Sequence, residues 1–307
     1  MVKNIDEKAR KKKIRNLIKL KSSEEIYMFL NNNKDLEESD ITKLINVLCM
    51  QKDLYYICKT CKIITINGNN LSDLIDVVVS SKSISYIKEL LTTIQNRNYS
   101  INKICSLKDA YLVYEILSYS SSFIGDENVN KMINKLCEKK EYRYIVKAGS
   151  IEKLSSQNVI KLVDTLIASG KVLELVEFAN VCKILPESKF DEIINIVLNS
   201  NHVSSMYTLA KIYYNRYNKI NKKLVTEILN SKEIKYICLV ALYIDNKLIY
   251  KLFNNVNSMY QYMCGSGYYS TNELSKITDT IYGENYTNGN IESEKKRLLK
   301  VVDKINY

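Results

Sequence analysis

The sequence predicts an all-α fold built as an array of short helical hairpins, and three observations carry that prediction. The chain repeats itself: residues 44–59 read LINVLCMQKDLYYICK and residues 132–147 read MINKLCEKKEYRYIVK, an offset of 88. Eight of those sixteen positions are identical, namely Ile45/Ile133, Asn46/Asn134, Leu48/Leu136, Cys49/Cys137, Lys52/Lys140, Tyr56/Tyr144, Ile57/Ile145 and Lys59/Lys147. The same offset relates Leu74-Ile75-Asp76 to Leu162-Val163-Asp164. An offset of 88 is close to three units of thirty, and self-similarity at such a period marks a hairpin array. Helix breakers are scarce, with one Pro and eight Gly in 307 residues. Proline costs a helix interior about 3 kcal/mol and glycine about 1, so their near absence favours helix throughout. Finally, 46% of residues are hydrophobic, enough apolar surface for each unit to bury against its neighbours.

Each unit reads as two short amphipathic helices. The first carries a Leu-Ile-x-x-Leu/Val pattern and the second a Φ-x-x-Φ pattern, often written Φ-x-Tyr-Ile. The anchors opening the second helices fall at Ile26, Leu54, Ile84, about Leu112, Tyr142, Val172, Val203, Ile234 and about Tyr260. The turn before them is rich in Ser and Lys, as in Ser81-Lys82-Ser83-Ile84 and Ser231-Lys232-Glu233-Ile234. A Ser ahead of the first apolar residue predicts an N-cap, its oxygen accepting a backbone N–H the helix leaves open. Between units the signals are loop-like: Asn67-Gly68-Asn69-Asn70, Gly125-Asp126-Glu127-Asn128 and Pro186-Glu187-Ser188. Helices of about 10–13 residues are marginal alone in water, so stacking must stabilise them.

Three segments follow. Residues 1–21 form a basic N-terminal arm or helix, residues 22–263 the repeat array, and residues 264–307 a Gly/Tyr/Asn-rich extension closed by a helix near 291–305. The organisation of residues 22–263 resembles the α-solenoid superfamily of HEAT-like, tetratricopeptide-like and pentatricopeptide-like hairpins. The resemblance implies an α-solenoid of about eight to nine hairpins with a period near 30 residues, whose groove binds a partner. The tetratricopeptide Trp is missing, since the chain has no Trp, and one Pro and one His leave no room for an ankyrin signature. Abundant Lys, Asn, Ile and Tyr suit an AT-rich source such as a large DNA virus or an intracellular parasite.

Charge narrows the partner. Residues 1–21 hold nine basic residues against Asp6 and Glu7, whereas the remainder holds 36 basic and 32 acidic residues. An array that wraps nucleic acid needs cations along its whole length, because phosphate contacts dominate that affinity. This one is close to neutral, which favours a protein partner. The basic cluster Lys8, Arg10, Lys11, Lys12, Lys13 and Arg15 is a candidate for binding nucleic acid or another acidic partner. Its plainer reading is a helix whose Ile14, Leu17, Ile18 and Leu20 pack onto the first unit. A second candidate is Lys211, Tyr213, Tyr214, Arg216, Tyr217, Lys219, Lys222 and Lys223, where rings and cations interleave as in single-strand binders. Its plainer reading is a helix end followed by a loop.

Chemistry has little to work with. His202 is the only histidine and sits in a polar turn, Asn199-Ser200-Asn201-His202. The acidic pairs Glu24-Glu25, Glu37-Glu38 and Asp191-Glu192 fall near expected helix starts, where they suit the dipole. Of eight cysteines only Cys58 and Cys61 form a CxxC, and a zinc site usually takes two such pairs. Cys49 and Cys137 share a repeat position, so the expectation is packing, with free thiols in a reducing intracellular compartment, cytoplasmic or nuclear. No apolar run approaches the ~18 residues of a membrane span. The sequence therefore predicts a non-enzymatic protein with no cofactor and no metal.

Overall fold

The computed structural model describes residues 2–94, 97–231, 233, 236 and 240. Among them are fifteen helices and no strand. They run in pairs: α1 (Val2–Leu20) with α2 (Ser23–Asn32), α3 (Glu38–Gln51) with α4 (Leu54–Thr60), and α5 (Gly68–Ser80) with α6 (Ile84–Thr93). Next come α7 (Arg97–Ser106) with α8 (Ala110–Ser120), and α9 (Asp126–Lys139) with α10 (Tyr142–Ala148). Then follow α11 (Ser156–Ser169) with α12 (Val172–Val181), α13 (Glu187–Asn199) with α14 (Val203–Tyr217), and α15 (Lys222–Asn230). No described helix is long and apolar enough to cross a membrane. The anchors Ile234 and Tyr260, and the whole of residues 264–307, lie outside the described residues.

The chain divides into two compact units, Met1–Leu162 and Val163–Tyr307, with the division inside α11. In the first unit the odd helices pack in succession, α1 on α3, α3 on α5, α5 on α7 and α7 on α9. The even helices do the same from α2 to α10, so this unit has two layers. Within the second unit α12 packs on α14 and α13 on α15. Leu54, Ile84, Tyr142, Val172 and Val203 open their helices as expected, but α2 opens at Ser23 and α8 at Ala110. The fourth residue of each even helix is buried: Ile26, Ile57, Ile87, Val113 and Ile145 in the first unit, Leu175 and Met206 in the second. That position faces the inter-layer core, which is why the apolar period was visible.

Six of the seven links within pairs share one device, the α7–α8 link being the exception. Lys21, Lys52, Lys82, Lys140 and Asn201 take positive φ between 53° and 58°, and Gly170 takes 67°. A left-handed residue at a helix C-terminus reverses the chain and lets its N–H close on an open carbonyl, as Lys52 does on Leu48 at 3.1 Å. Next comes the N-cap. Ser22, Asp53, Asp109 and Asn221 accept backbone N–H bonds from Glu25, Tyr56, Leu112 and Leu224. Ser83 occupies an N-cap position but makes no cap bond, because its hydroxyl pairs with Ser85 at 3.3 Å. Pro186 opens α13 rather than closing the preceding helix, and Asn67 and Gly125 likewise cap α5 and α9.

A line of polar side chains crosses the odd layer of the first unit. Asp40, Asn70, Ser100, Asn128 and Asn158 are all at most 5% exposed, at intervals of 30, 30, 28 and 30 residues. Half-buried Arg10 begins the same series thirty residues earlier. Asn128 donates to Asn98 at 2.7 Å and to the Ile124 carbonyl at 2.8 Å. Buried polar groups of this kind favour one pairing of neighbouring helices over slipped ones.

Candidate functional site

The basic cluster lies on α1, which is a member of the odd layer. Ile14 and Leu17 are buried and Ile18 is half-buried. Leu20 is 65% exposed, against expectation, because the chain turns left-handed at Lys21 and carries that position away from the layer. Lys8, Lys11, Lys12, Lys13 and Arg15 are exposed. Lys11 pairs with Glu7 at 2.6 Å, an exposed contact that raises the lysine and lowers the carboxyl. Arg10 turns inward and donates to the Asp35 carbonyl at 3.2 Å. Beside it lies an open cleft of about 710 Å³, lined by Glu7, Arg10, Lys13, Phe29, Asn33 and Asp35. Its lining mixes both signs of charge.

The second cluster is divided by the fold. Tyr213 is 8% exposed and packs with Tyr217 (centroids 4.7 Å apart) and Phe190 (5.7 Å). Arg216 lies over the Phe190 ring at 5.2 Å and donates to the carbonyls of Ala179 and Cys182 at 2.8 and 2.7 Å. The guanidinium thus closes the open end of α12. Arg97 repeats the arrangement in the first unit, donating to Leu91 and Phe123 carbonyls while lying over the Phe123 ring. Arginine suits this role because its planar fork offers several donors at once. Tyr213, Arg216 and Tyr217 are therefore held by the protein itself. Lys219 and Lys223 are exposed, and Lys211, Tyr214 and Lys222 are half-buried. The sequence reading missed Phe190, around which the cluster is organised.

A third surface was not foreseen. In the even layer of the first unit, the fifth residue of one helix meets the third residue of the next. Tyr27 of α2 lies 6.0 Å from Tyr56 of α4, and Tyr55 stands edge-on to Tyr56 at 5.0 Å. The Lys59 ammonium sits 4.2 Å from the Tyr55 centroid and within 6 Å of the other two. Further along, Tyr114 of α8 stacks on Tyr144 of α10 at 5.9 Å, with Tyr111 at 5.8 Å. There the Lys147 ammonium lies 5.7 and 5.9 Å from two of these rings. Each cluster thus holds three tyrosines and one lysine. Tyr55 and Tyr111 are each 46% exposed. Cation–ring contacts of this geometry contribute roughly 0.5–1 kcal/mol when exposed. The signal was present in the sequence, since Tyr56/Tyr144 and Lys59/Lys147 are identical across the 88-residue offset.

Four other lysines of this unit are neutralised by the next or preceding hairpin. Lys62 meets Glu89 at 2.9 Å, Lys82 meets Asp109 at 3.3 Å, Lys88 meets Glu115 at 3.7 Å and Lys103 meets Asp76 at 2.7 Å. Lys59 and Lys147 have no carboxylate partner among the described residues. Hydrogen bonding to Tyr55 raises Lys59 and keeps it a cation.

The cysteines behave as packing groups. Cys58, Cys61, Cys137 and Cys182 are buried and Cys105 is half-buried, all as free thiols. Burial pushes Cys58 up to about 12 and Cys105 up to about 11, far from the thiolate needed for reactivity. Cys49 departs from expectation in being only half-buried, although burial still raises it to about 11. Cys238 and Cys264 lie outside the described residues. Among the described residues no group of three or more His, Cys, Asp or Glu could hold a metal ion. His202 caps α14, exposed, with Nδ1 2.8 Å from the Ser205 hydroxyl. Glu24 and Glu25 lie in the first turn of α2, while Asp191-Glu192 lie a full turn inside α13. No protein family, characterised protein or solved structure matches this chain.

Proposed function

We propose that this protein is a non-enzymatic α-solenoid scaffold of about eight to nine hairpins that binds a protein partner along its even-helix layer. The left-handed links spaced 30 or 31 residues apart over most of the described chain support the array. The observation that carries the binding reading is the tyrosine–lysine surface. Core identity between the two copies follows from packing alone, whereas Tyr56/Tyr144 and Lys59/Lys147 are not core residues. Buried free thiols support an intracellular, reducing compartment, cytoplasmic or nuclear. The test compares capture from nuclease-treated lysate by the native chain and by Tyr55→Ser/Tyr111→Ser. A protein retained after nuclease treatment and lost by the variant supports this reading, and capture unaffected by the variant refutes the surface assignment.

A second reading rests on α1. Lys8, Lys12, Lys13 and Arg15 are exposed and have no carboxylate partner among the described residues. In this reading the protein associates with nucleic acid through α1, helped by Lys219 and Lys223. Replacing Lys8, Lys12 and Lys13 by Gln would then flatten the salt dependence, since each phosphate contact adds about −0.9 to the log–log slope on duplex DNA.

A further inference from the structure

We infer that the Tyr27/Tyr55/Tyr56/Lys59 and Tyr111/Tyr114/Tyr144/Lys147 clusters are two equivalent docking points for one extended acidic peptide. This rests on the scaffold reading and adds the chemistry of the partner. Each cluster presents an ammonium braced against tyrosine rings. A lysine has three N–H donors and ring contacts leave some of them free to meet a carboxylate. The ring faces around it suit a proline or aliphatic residue beside that carboxylate, and the exposed Tyr55 and Tyr111 offer such a floor, while the Tyr56 hydroxyl is engaged by Glu24. Charge decides the class of partner. Lys62, in the turn after α4, and Lys88, on α6, are paired to Glu89 and Glu115. What remains on these helices is Lys59 at one cluster and Lys147 with the exposed Arg143 at the other, two separate basic points and no continuous basic track. Nucleic acid needs the track, whereas spaced carboxylates need only the two points.

The spacing follows from the layer. Lys59 and Lys147 sit on α4 and α10, which are separated by the successive neighbours α6 and α8. Packed helices lie about 8–10 Å apart, so three steps span roughly 24–30 Å. An extended chain advances about 3.3 Å per residue, which puts the two acidic anchors about seven to nine residues apart. Linking two weak sites in this way raises affinity through effective concentration, so the anchors act together.

The experiment pans a random 16-residue peptide library, displayed on phage, against the full-length chain. Enriched peptides are then remade with a fluorescent label and titrated by anisotropy against native, Lys59→Gln, Lys147→Gln and double-variant protein. Both positions are half-exposed, so an unchanged thermal midpoint establishes that the variants fold. The expected result is enrichment of Asp or Glu at two positions about seven to nine residues apart. Each single variant should weaken binding about tenfold or more, while Lys59→Arg retains most of it. Peptides without paired acidic residues, or binding indifferent to both lysines, overturn the inference and leave the scaffold reading standing. No enriched peptide, with a 15-mer of oligo(dT) retained at physiological salt, overturns both.

Discussion

Two hairpins of the first unit, α3–α4 and α9–α10, share half of a sixteen-residue stretch, and the shared residues include three kinds. Ile45/Ile133, Leu48/Leu136 and Ile57/Ile145 are at most 1% exposed and need no explanation beyond packing. Lys52/Lys140 make the same left-handed link. Tyr56/Tyr144 and Lys59/Lys147 stay partly exposed. The differences are as informative. Tyr55 of α4 is matched in the second copy by Arg143, and there Tyr111 of the preceding even helix supplies the third ring. The helix that contributes the ring changes while the composition of the cluster does not. What the two copies hold in common on the surface is therefore a chemical environment, and the side chains that compose it are partly interchangeable.

The largest expected effect tests whether the two cores are equivalent. Leu48→Ala and Leu136→Ala should each cost about 2–5 kcal/mol, the usual range for a buried leucine, and should agree with each other. Urea unfolding of both variants measures this, and a near-zero cost at one site would break the equivalence. Caps come next. Asp109 accepts from the Leu112 N–H at 3.0 Å and Asp53 from the Tyr56 N–H at a longer 3.5 Å, while Glu141 makes no cap bond. Asp109→Ala should cost about 1 kcal/mol, Asp53→Ala roughly half that, and Glu141→Ala almost nothing. The Leu112 N–H and then Lys82 hold Asp109 below the ordinary carboxylate range. Its stabilisation is thus present at neutral pH and lost as pH falls below about 4 toward the lowered value. Asp109→Asn should therefore be less stable than the native chain at pH 7, and the gap should narrow as pH falls below about 4. A gap independent of pH would mean that the carboxylate charge plays no part.

Much of this was legible in the sequence because period and polarity are local signals. Five second-helix starts were read correctly where the first apolar residue is also the first helical one. The start at Ser23 was missed because its cap and polar first turn precede the apolar anchor Ile26. The start at Ala110 was missed because the cap Asp109 stands three residues before the apolar anchor Leu112. The left-handed lysines were invisible by residue type, since Gly and Asn advertise that conformation and Lys does not. They show only as a recurrence at Lys21, Lys52, Lys82 and Lys140. Asn70 and Asn128 read as loop positions because nothing local reveals that another helix covers them. The tyrosine clusters depend on the stacking register, which brings the fifth residue of one helix to the third of its neighbour. Their residues were in view, but their meeting was not.

The smallest effect concerns those links, and there two opposing terms set its sign. A left-handed backbone costs an L-residue about 1–2 kcal/mol, which Lys52 and Lys140 bear at φ 56° and 53°. Glycine removes that cost but adds unfolded-chain entropy of roughly 0.5–1 kcal/mol. Lys52→Gly and Lys140→Gly should therefore stabilise by a net amount of only about half a kcal/mol each. Gly170→Ala, at φ 67° and with open space around the added methyl, should destabilise by a similar amount through the backbone alone. The three changes form a matched set, because each acts on a link rather than on a core or a cap. If either lysine variant is destabilising beyond error while Gly170→Ala behaves as stated, the lysine side chain has a role at the link that backbone conformation does not capture. Thermal midpoints of the three variants, read at one pH and salt concentration, decide it.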